Sequence, residues 1–281
     1  MKTYLRSIIL CITVVFASCE DVIEVEVQTA QERLTIEASL DWEKGTTGNQ
    51  QTVKLSTSTS FFDTASNTAV LGASVTVTND NSGAEFVFTD QNNGEYTTED
   101  FVPVLNQSYT LSVRYNGERY TANETLMPVT DITELTQSTE DGFDDEALEV
   151  NVIFTDPEDE DNFYLFRFQE RGDLLPELEE LDDEFVNGNE ISWFYEKEED
   201  ETTNTEEFAP GDIVDIELLG ISRAYFNYVS ILIEQAEGDG GPFSTTPVPL
   251  RGNCINLDNP DNYAHGYFRL TEVVRTSFTF Q

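Results

Sequence analysis

Cys254 and His265 are the pair in this chain whose types could supply a thiol nucleophile and an imidazole base, the chemistry of acyl transfer. Both lie in an extended, proline-flanked region, and neither is set in a recognisable nucleophile motif, so a structural role is expected for them. The densest group of oxygen ligands is Asp156, Glu158, Asp159, Glu160 and Asp161. Ca²⁺ needs about six to eight oxygens converging on a shaped loop, and Asp161 stands where such a loop requires glycine. The expectation is therefore a hairpin tip coated in solvated acid, with no metal site assigned. The 55 Asp and Glu offer so many carboxylate pairs for glycoside hydrolysis that no single pair is informative. A Gly-rich phosphate loop, a metal-binding helix motif and a serine elbow are absent from the sequence. His265 is the only histidine, which rules out a histidine-rich zinc site. No catalytic residue and no cofactor is assigned, and the reading is non-enzymatic. Trp42, Trp193, Phe194, Tyr195, Tyr225 and Tyr228 are candidates for stacking on a sugar or peptide, although aromatics in strands more often serve the core.

The firmest feature is an anchor at the start of the chain. Lys2 and Arg6 precede an almost wholly apolar run from Ile8 to Phe16, followed by Ala17, Ser18 and Cys19. That order of charge, apolar run and small residues is a secretory signal, 1–18, and is too short to cross a hydrocarbon core of ~30 Å comfortably. The ending Phe-Ala-Ser-Cys resembles a bacterial lipobox, in which the cysteine takes the lipid and becomes the first mature residue. Cys19 is the expected lipid attachment, and residues 19–31 are the expected lipidated tether. The alternative is a plain secreted protein in which Cys19 is incidental.

Composition narrows the rest. The formal charge is −41, from 14 Lys and Arg against 55 Asp and Glu. Lys2 and Arg6 leave with the signal and no acid does, which moves the balance to near −43. Such a field repels nucleic-acid phosphates and anionic headgroups, so nucleic acid is excluded as a partner and membrane attachment falls to the lipid. Cys254 would be the only thiol left unmodified, so no intramolecular disulfide is expected. Thr, Val, Phe and Tyr are plentiful and Met is scarce, which favours strands.

Along the chain, strands are expected at Arg33–Trp42, near Thr52–Ser58, Ala73–Thr78 and Ala84–Thr89, around Tyr96, and at Tyr109–Tyr115 and Glu118–Thr125. Asn116-Gly117 between the last two is the strongest hairpin signal. These make an antiparallel sandwich over 32–130, immunoglobulin-like or carboxypeptidase-regulatory-like. Residues 131–147 read as an acidic linker. A second β-rich domain, 148–281, follows, with Leu148–Thr155 and Asn162–Gln169 expected as a hairpin around the acidic run. A brief helix is possible over Leu174–Phe185, with a strand at Ile191–Tyr195 and a charged loop over Glu196–Glu207. Ser222–Glu237 is the persuasive helix: Ser222 caps it, and Tyr225, Val229, Leu232 and Ala236, broadened by Phe226 and Ile233, recur at helical spacing. Gly238, Gly240, Gly241 and Pro242 end it, and two strands, Gly266–Val273 and Arg275–Phe280, close the chain.

The order of these segments resembles one family throughout the mature chain. The carrying residues are the early LTIEASL, then GASVTVTND, FTDPEDEDNFYLFRF, AYFNYVSIL, and an ending that runs from proline through Arg251-Gly252-Asn253 to Gly266-Tyr267-Phe268. The chain resembles the Bacteroidetes lipoproteins of the domain of unknown function 4249 family. That resemblance implies an outer-membrane or cell-surface lipoprotein, often encoded beside TonB-dependent receptors, with no agreed activity and no catalytic residues to carry over. Glu20 and Asp21 resemble the acidic export signals that send lipoproteins of this phylum to the outer surface, with the periplasmic face as the alternative. The functional expectation is a binding or accessory protein serving a TonB-dependent receptor in nutrient uptake, with the second half meeting ligand or receptor. A stand-alone adhesin or envelope structural protein is the alternative, and a glycan or peptide hydrolase a more distant one.

Overall fold

In a computed structural model, the described residues are 31–60, 67–144, 146–158, 160–184, 186–197, 207–237 and 249–281. The expected signal, Cys19, Glu20, Asp21 and the tether up to residue 30 lie outside them, as do Asp159, most of the charged loop and Gly238 to Pro247.

Valine, isoleucine and aromatic residues alternate with polar ones through most of the chain, and the alternation becomes strands. In order they are β1 (Leu34–Glu43), β2 (Gln51–Thr57), β3 (Ser74–Asn79), β4 (Glu85–Asp90), β5 (Glu95–Thr98), β6 (Ser108–Tyr115) and β7 (Glu118–Thr125). After them come β8 (Ile132–Ser138), β9 (Glu149–Thr155), β10 (Phe163–Glu170), β11 (Glu177–Asp182), β12 (Glu190–Glu196) and β13 (Ile213–Gly220). The helix α1 (Arg223–Glu237), the short β14 (Ile255–Asn256) and the long β15 (His265–Thr279) complete the described chain. The protein is mainly β and built as sandwiches, as its sequence indicates. Twelve strands form one sheet in the order β11-β10-β13-β15-β1-β2-β5-β4-β3-β6-β7-β14, and β12-β9-β8 form a second.

The large sheet folds over at β5 and β4, so that Ile36, Leu40, Val53 and Leu55 from one arm meet Val75, Leu111, Val113 and Tyr120 from the other in a first core. The Asn116-Gly117 turn behaves as its sequence requires: both residues take positive φ, 50° and 82°, and Tyr115 pairs with Glu118 across a two-residue loop. At the other end of the sheet, Tyr164, Phe166, Phe168, Ile216 and Leu218 face Val150, Val152, Phe154 and Tyr195 of the small sheet in a second core. Phe168 and Tyr195 stack there at 4.2 Å between ring centroids.

β15 joins the two cores. It pairs parallel to β1 over 265–273 and antiparallel to β13 over 273–279. Phe268 and Leu270 enter the first core, and Val274, Phe278 and Phe280 pack in the second. The odd residues Tyr267, Arg269, Thr271 and Val273 are buried too, on the opposite side of the strand. The helix covers part of that side: Val229 packs with Val273, Leu165 and Leu219, while Tyr225 and Tyr228 close on Tyr267.

Several expectations are corrected. The limits 32–130 and 148–281 are not those of the cores, because Cys254, Ala264, Phe268 and Leu270 return to the first one and β14 pairs with β7. Residues 32–281 cluster as one compact unit. The expected linker 131–147 opens as β8, hydrogen-bonded to β9. β9 and β10 are not a hairpin but lie in different sheets: β10 pairs with β11 and β13, β9 pairs with β8 and β12, and their apolar faces meet in the second core. The possible helix over Leu174–Phe185 is β11, held to β10 from Glu177 to Asp182. The two closing strands are one, since Val273–Arg275 contains nothing that breaks a strand. β13 was not anticipated at all, although Val214, Ile216 and Leu218 alternate inward.

Candidate functional site

The helix leaves part of its side of the large sheet uncovered. A cleft of about 500 Å³ opens there, with Glu37, Ser39 and Asp41 of β1, Thr52 and Lys54 of β2, and Arg269 of β15 contributing polar groups. Leu165 and Arg167 of β10, Leu178 of β11, Pro176 and Tyr225 complete the lining, so apolar side chains gather toward the helix. Strand alternation explains this composition. Leu34, Ile36, Ala38 and Leu40 point into the first core, which turns Glu37, Ser39 and Asp41 the other way. The volume falls within the ~300–1,000 Å³ range typical of ligand pockets.

A ladder of charge crosses the strands beside the cleft. Arg167 lies opposite Glu217 in register and pairs with it at 2.8 Å. Glu217 in turn lies opposite Arg275, whose Nε donates to Oε1 at 2.8 Å. Arg275 continues to Glu43 at 3.2 Å and to Asp41 at 3.7 Å. Burial pulls the Arg275 pKa down, but Glu217, Glu43 and Asp41 outweigh it and hold the guanidinium above its ordinary range.

Arg269 ends the ladder and differs from the rest. Its side chain is only 5% exposed, and Nη2 stands 2.8 Å from Asp41 Oδ1. That contact is off the hydrogen-bond line, and Nε and Nη1 of Arg269 have no acceptor among the described residues. Tyr225 lies over the guanidinium, 5.2 Å from ring centroid to Cζ. Leaving a buried donor unpaired costs roughly 1–3 kcal/mol, more for a charged group. The other buried polar atoms without partners belong to Asp41, Glu149, Asn151, Gln235 and Asn262, so among the described residues Arg269 is the cation left in this state.

Cys254 is buried in the first core, and burial pushes its thiol up to about 12 despite the Phe268 backbone contact. Its thiolate is therefore scarce near neutral pH. His265 sits with Tyr263 and Arg33, and burial first, then the Arg33 charge, lowers its pKa. In the acidic run Glu158, Glu160 and Asp161 are exposed, as expected, and Asp156 is the exception. Asp156 is buried and accepts from the Tyr164 hydroxyl at 2.5 Å and from Gly188 N at 3.0 Å, while Asp161 pairs with Arg223 at 3.0 Å. Among the described residues, no group of three His, Cys, Asp or Glu could hold a metal ion.

The aromatic candidates divide. Trp193 stacks on Phe166 and Tyr195 on Phe168 inside the second core, and Trp42 Nε1 donates to Thr46 O at 2.9 Å. Phe194 meets Phe143, and Tyr228 packs on Tyr267. Tyr225 alone among the six lines the cleft.

The Arg-Gly-Asn to Gly-Tyr-Phe ending serves the fold. Asn253 Oδ1 accepts from Phe268 N at 2.9 Å and Nδ2 donates to Phe268 O at 2.8 Å, imitating a neighbouring strand. Gly252 lies against the Gly266 carbonyl and Gly266 against that of Ile36, where no Cβ fits. Arg251 and Arg33 both stand over Tyr263, at 4.1 and 3.8 Å. Sequence reasoning missed Arg269 and Asp41. The available signal was a base within the apolar strand YFRLTEVV, in a chain that has only 14 Lys and Arg.

The chain belongs to the family described as "Domain of unknown function (DUF4249)", whose model matches residues 20–277. No curated protein matches. Among solved structures, a cytokine receptor complex has TM-score 0.26 at 11% identity, covering 68% of this chain and 85% of that one. A two-domain fibronectin type III segment of chicken tenascin has TM-score 0.21 at 12% identity, covering 60% and 83%. A DUF4785 family protein from Legionella pneumophila has TM-score 0.26 at 10% identity, covering 69% of this chain and 54% of that one. Likenesses this weak add nothing to the strand pairing.

Proposed function

We propose that this chain is a non-enzymatic binding protein, fixed to the outer membrane by lipid on Cys19 and exposed at the cell surface through Glu20 and Asp21. In this reading it serves a TonB-dependent receptor in nutrient uptake, as a Bacteroidetes lipoprotein, and the cleft beside α1 holds its ligand. The observation that carries the binding role is the open cleft floored by Arg269, a buried cation with two unpaired donors. A fold assembled only for strength would place a matched or apolar group there. The signal, apolar run and small residues before Cys19 support the anchor. Among the described residues, no helix is long and apolar enough to cross a membrane.

The test is purification from native outer membranes with fatty-acid labelling. The wild-type protein is expected to carry label and to bring a TonB-dependent receptor with it, while Cys19→Ser loses the label and leaves the membrane. A labelled, membrane-bound Cys19→Ser protein contradicts the anchor, and consistent absence of a receptor contradicts the partnership.

A further inference from the structure

We infer that the cleft takes a small molecule carrying a carboxylate on an apolar body, with Arg269 receiving the carboxylate. The inference rests on the reading that the cleft is the binding site.

Charge is the first argument. Three bases, Lys54, Arg167 and Arg269, line the cleft against two acids, Glu37 and Asp41. In a chain with 55 acids and 14 bases, a lining where bases outnumber acids is a local reversal of the molecule's field. Pairing is the second. Arg167 is already matched by Glu217, and Asp41 is shared between Arg269 and Arg275, so Arg269 has no acid to itself. Nε, which has no acceptor, and Nη2 form the side edge of the guanidinium, the parallel pair of donors that a planar carboxylate would take. Tyr225 stands over the guanidinium and bounds the cleft on the helix side.

The remaining lining selects the body of the ligand. Leu165, Pro176, Leu178 and Tyr225 form an apolar wall, suited to an aryl or alkyl group rather than to a second charge. A phosphate fits poorly. Such sites draw on several bases or on helix-terminal N–H groups, and here one arginine, sharing Asp41 with Arg275, stands inside a strongly acidic protein. A sugar fits poorly as well, because Tyr225 is already engaged by Arg269, Tyr228 and Tyr267. A carboxylate on an apolar body could belong to an acylated amino acid or peptide end, or to a fatty acid, and the probes distinguish them.

The experiment is calorimetric titration of the protein with N-benzoylglycine, with its uncharged amide and with octanoate, at low and high salt. The variants are Leu178→Trp, which fills the apolar wall, and the charge-conserving double variant Arg269→Gln/Asp41→Asn, each checked for folding by circular dichroism. At least one acid is expected to bind, N-benzoylglycine about tenfold or more tighter than its amide if it is the preferred body, with affinity falling as salt rises. The double variant should lose the acid's advantage and Leu178→Trp should weaken every probe. The better-bound acid identifies the body. Equal binding of acid and amide, both blocked by Leu178→Trp, overturns the carboxylate inference and leaves the cleft as the site. Binding that Leu178→Trp does not touch overturns the cleft reading itself. No binding of either acid up to about 20 mM overturns the inference.

Discussion

Asp156 and Arg269 are both charged groups buried on the large structure's sheets and connections, yet the fold treats them differently. Asp156 lies where the chain passes from β9 to β10, and both carboxylate oxygens are engaged, one by the Tyr164 hydroxyl and one by Gly188 N. Arg269 lies at the floor of an open cleft, shares Asp41 with Arg275, and leaves Nε and Nη1 without acceptors. A buried group whose bonds are all made within the protein acts as a fastening. One whose bonds are incomplete beside an opening is suited to an incoming partner. Burial alone does not separate the two cases; hydrogen-bond completion does.

The sharpest way to break this contrast is to weaken both groups. Asp156→Ala removes two bonds to a buried carboxylate and strands the Tyr164 hydroxyl, so a loss of about 3 kcal/mol is expected in urea unfolding, with probe affinity unchanged. A loss below about 1 kcal/mol would erase the distinction from the Asp156 side. The Arg269→Gln/Asp41→Asn variant removes a pair that is imperfectly satisfied, and its stability should fall by about 1 kcal/mol or less while binding is lost. If it proved as damaging as Asp156→Ala, Arg269 would be a fastening too.

A third buried charge sharpens the comparison through pH. Burial raises the Glu124 pKa above its ordinary value, against the lowering effect of Thr125 N, Ser222 and Tyr267. The folded value therefore exceeds the unfolded one. Its contribution to stability is complete below the ordinary value of 4.5 and is lost as pH rises through the raised value. Glu124→Gln keeps an acceptor for Ser222 and Tyr267 but cannot titrate. Denaturation midpoints followed upward from pH 4.5 should fall more in wild type than in this variant. A parallel fall in both would remove Glu124 from the account. The smallest expected effect belongs to Lys54→Gln at the cleft rim, where the Glu95 pair is exposed and 3.8 Å long. Stability should stay within about 0.5 kcal/mol, and acid binding should weaken only a few-fold and mainly at low salt.

Much of the fold was legible because strand alternation and turn chemistry are local. Asn116-Gly117 announces its hairpin, Ser222 caps the helix by accepting from Tyr225 N at 3.1 Å, and the strands of the first sandwich lie within a residue or two of expectation. What was not legible is which strands meet. β9 and β10 are adjacent and each carries one apolar face, Val150, Val152 and Phe154 on one and Tyr164, Phe166 and Phe168 on the other, a pattern that suits a hairpin and a pair of opposed sheets equally well. The return of β15 to β1 is a pairing across some 230 residues, with nothing in either strand to mark the other. The cleft inherits that difficulty, since Asp41 and Arg269 become neighbours only through it. The acidic run misled for a related reason: Asp156 looks like its solvated neighbours until Tyr164 and Gly188 close around it. In the Arg-Gly-Asn to Gly-Tyr-Phe ending, Gly252 and Gly266 let three backbone segments approach closely, Gly252 against Gly266 and Gly266 against Ile36, a contact that the sequence order alone does not reveal.

The central claim is tested most directly by the arginine side-chain Nε–H resonances in an NMR spectrum of the protein, recorded as the better-bound acid is added. The account predicts that the Arg269 Nε–H signal moves downfield and exchanges more slowly with water, while those of Arg167 and Arg275, already paired with Glu217, stay where they are. An Arg269 signal unmoved at saturating acid would contradict it.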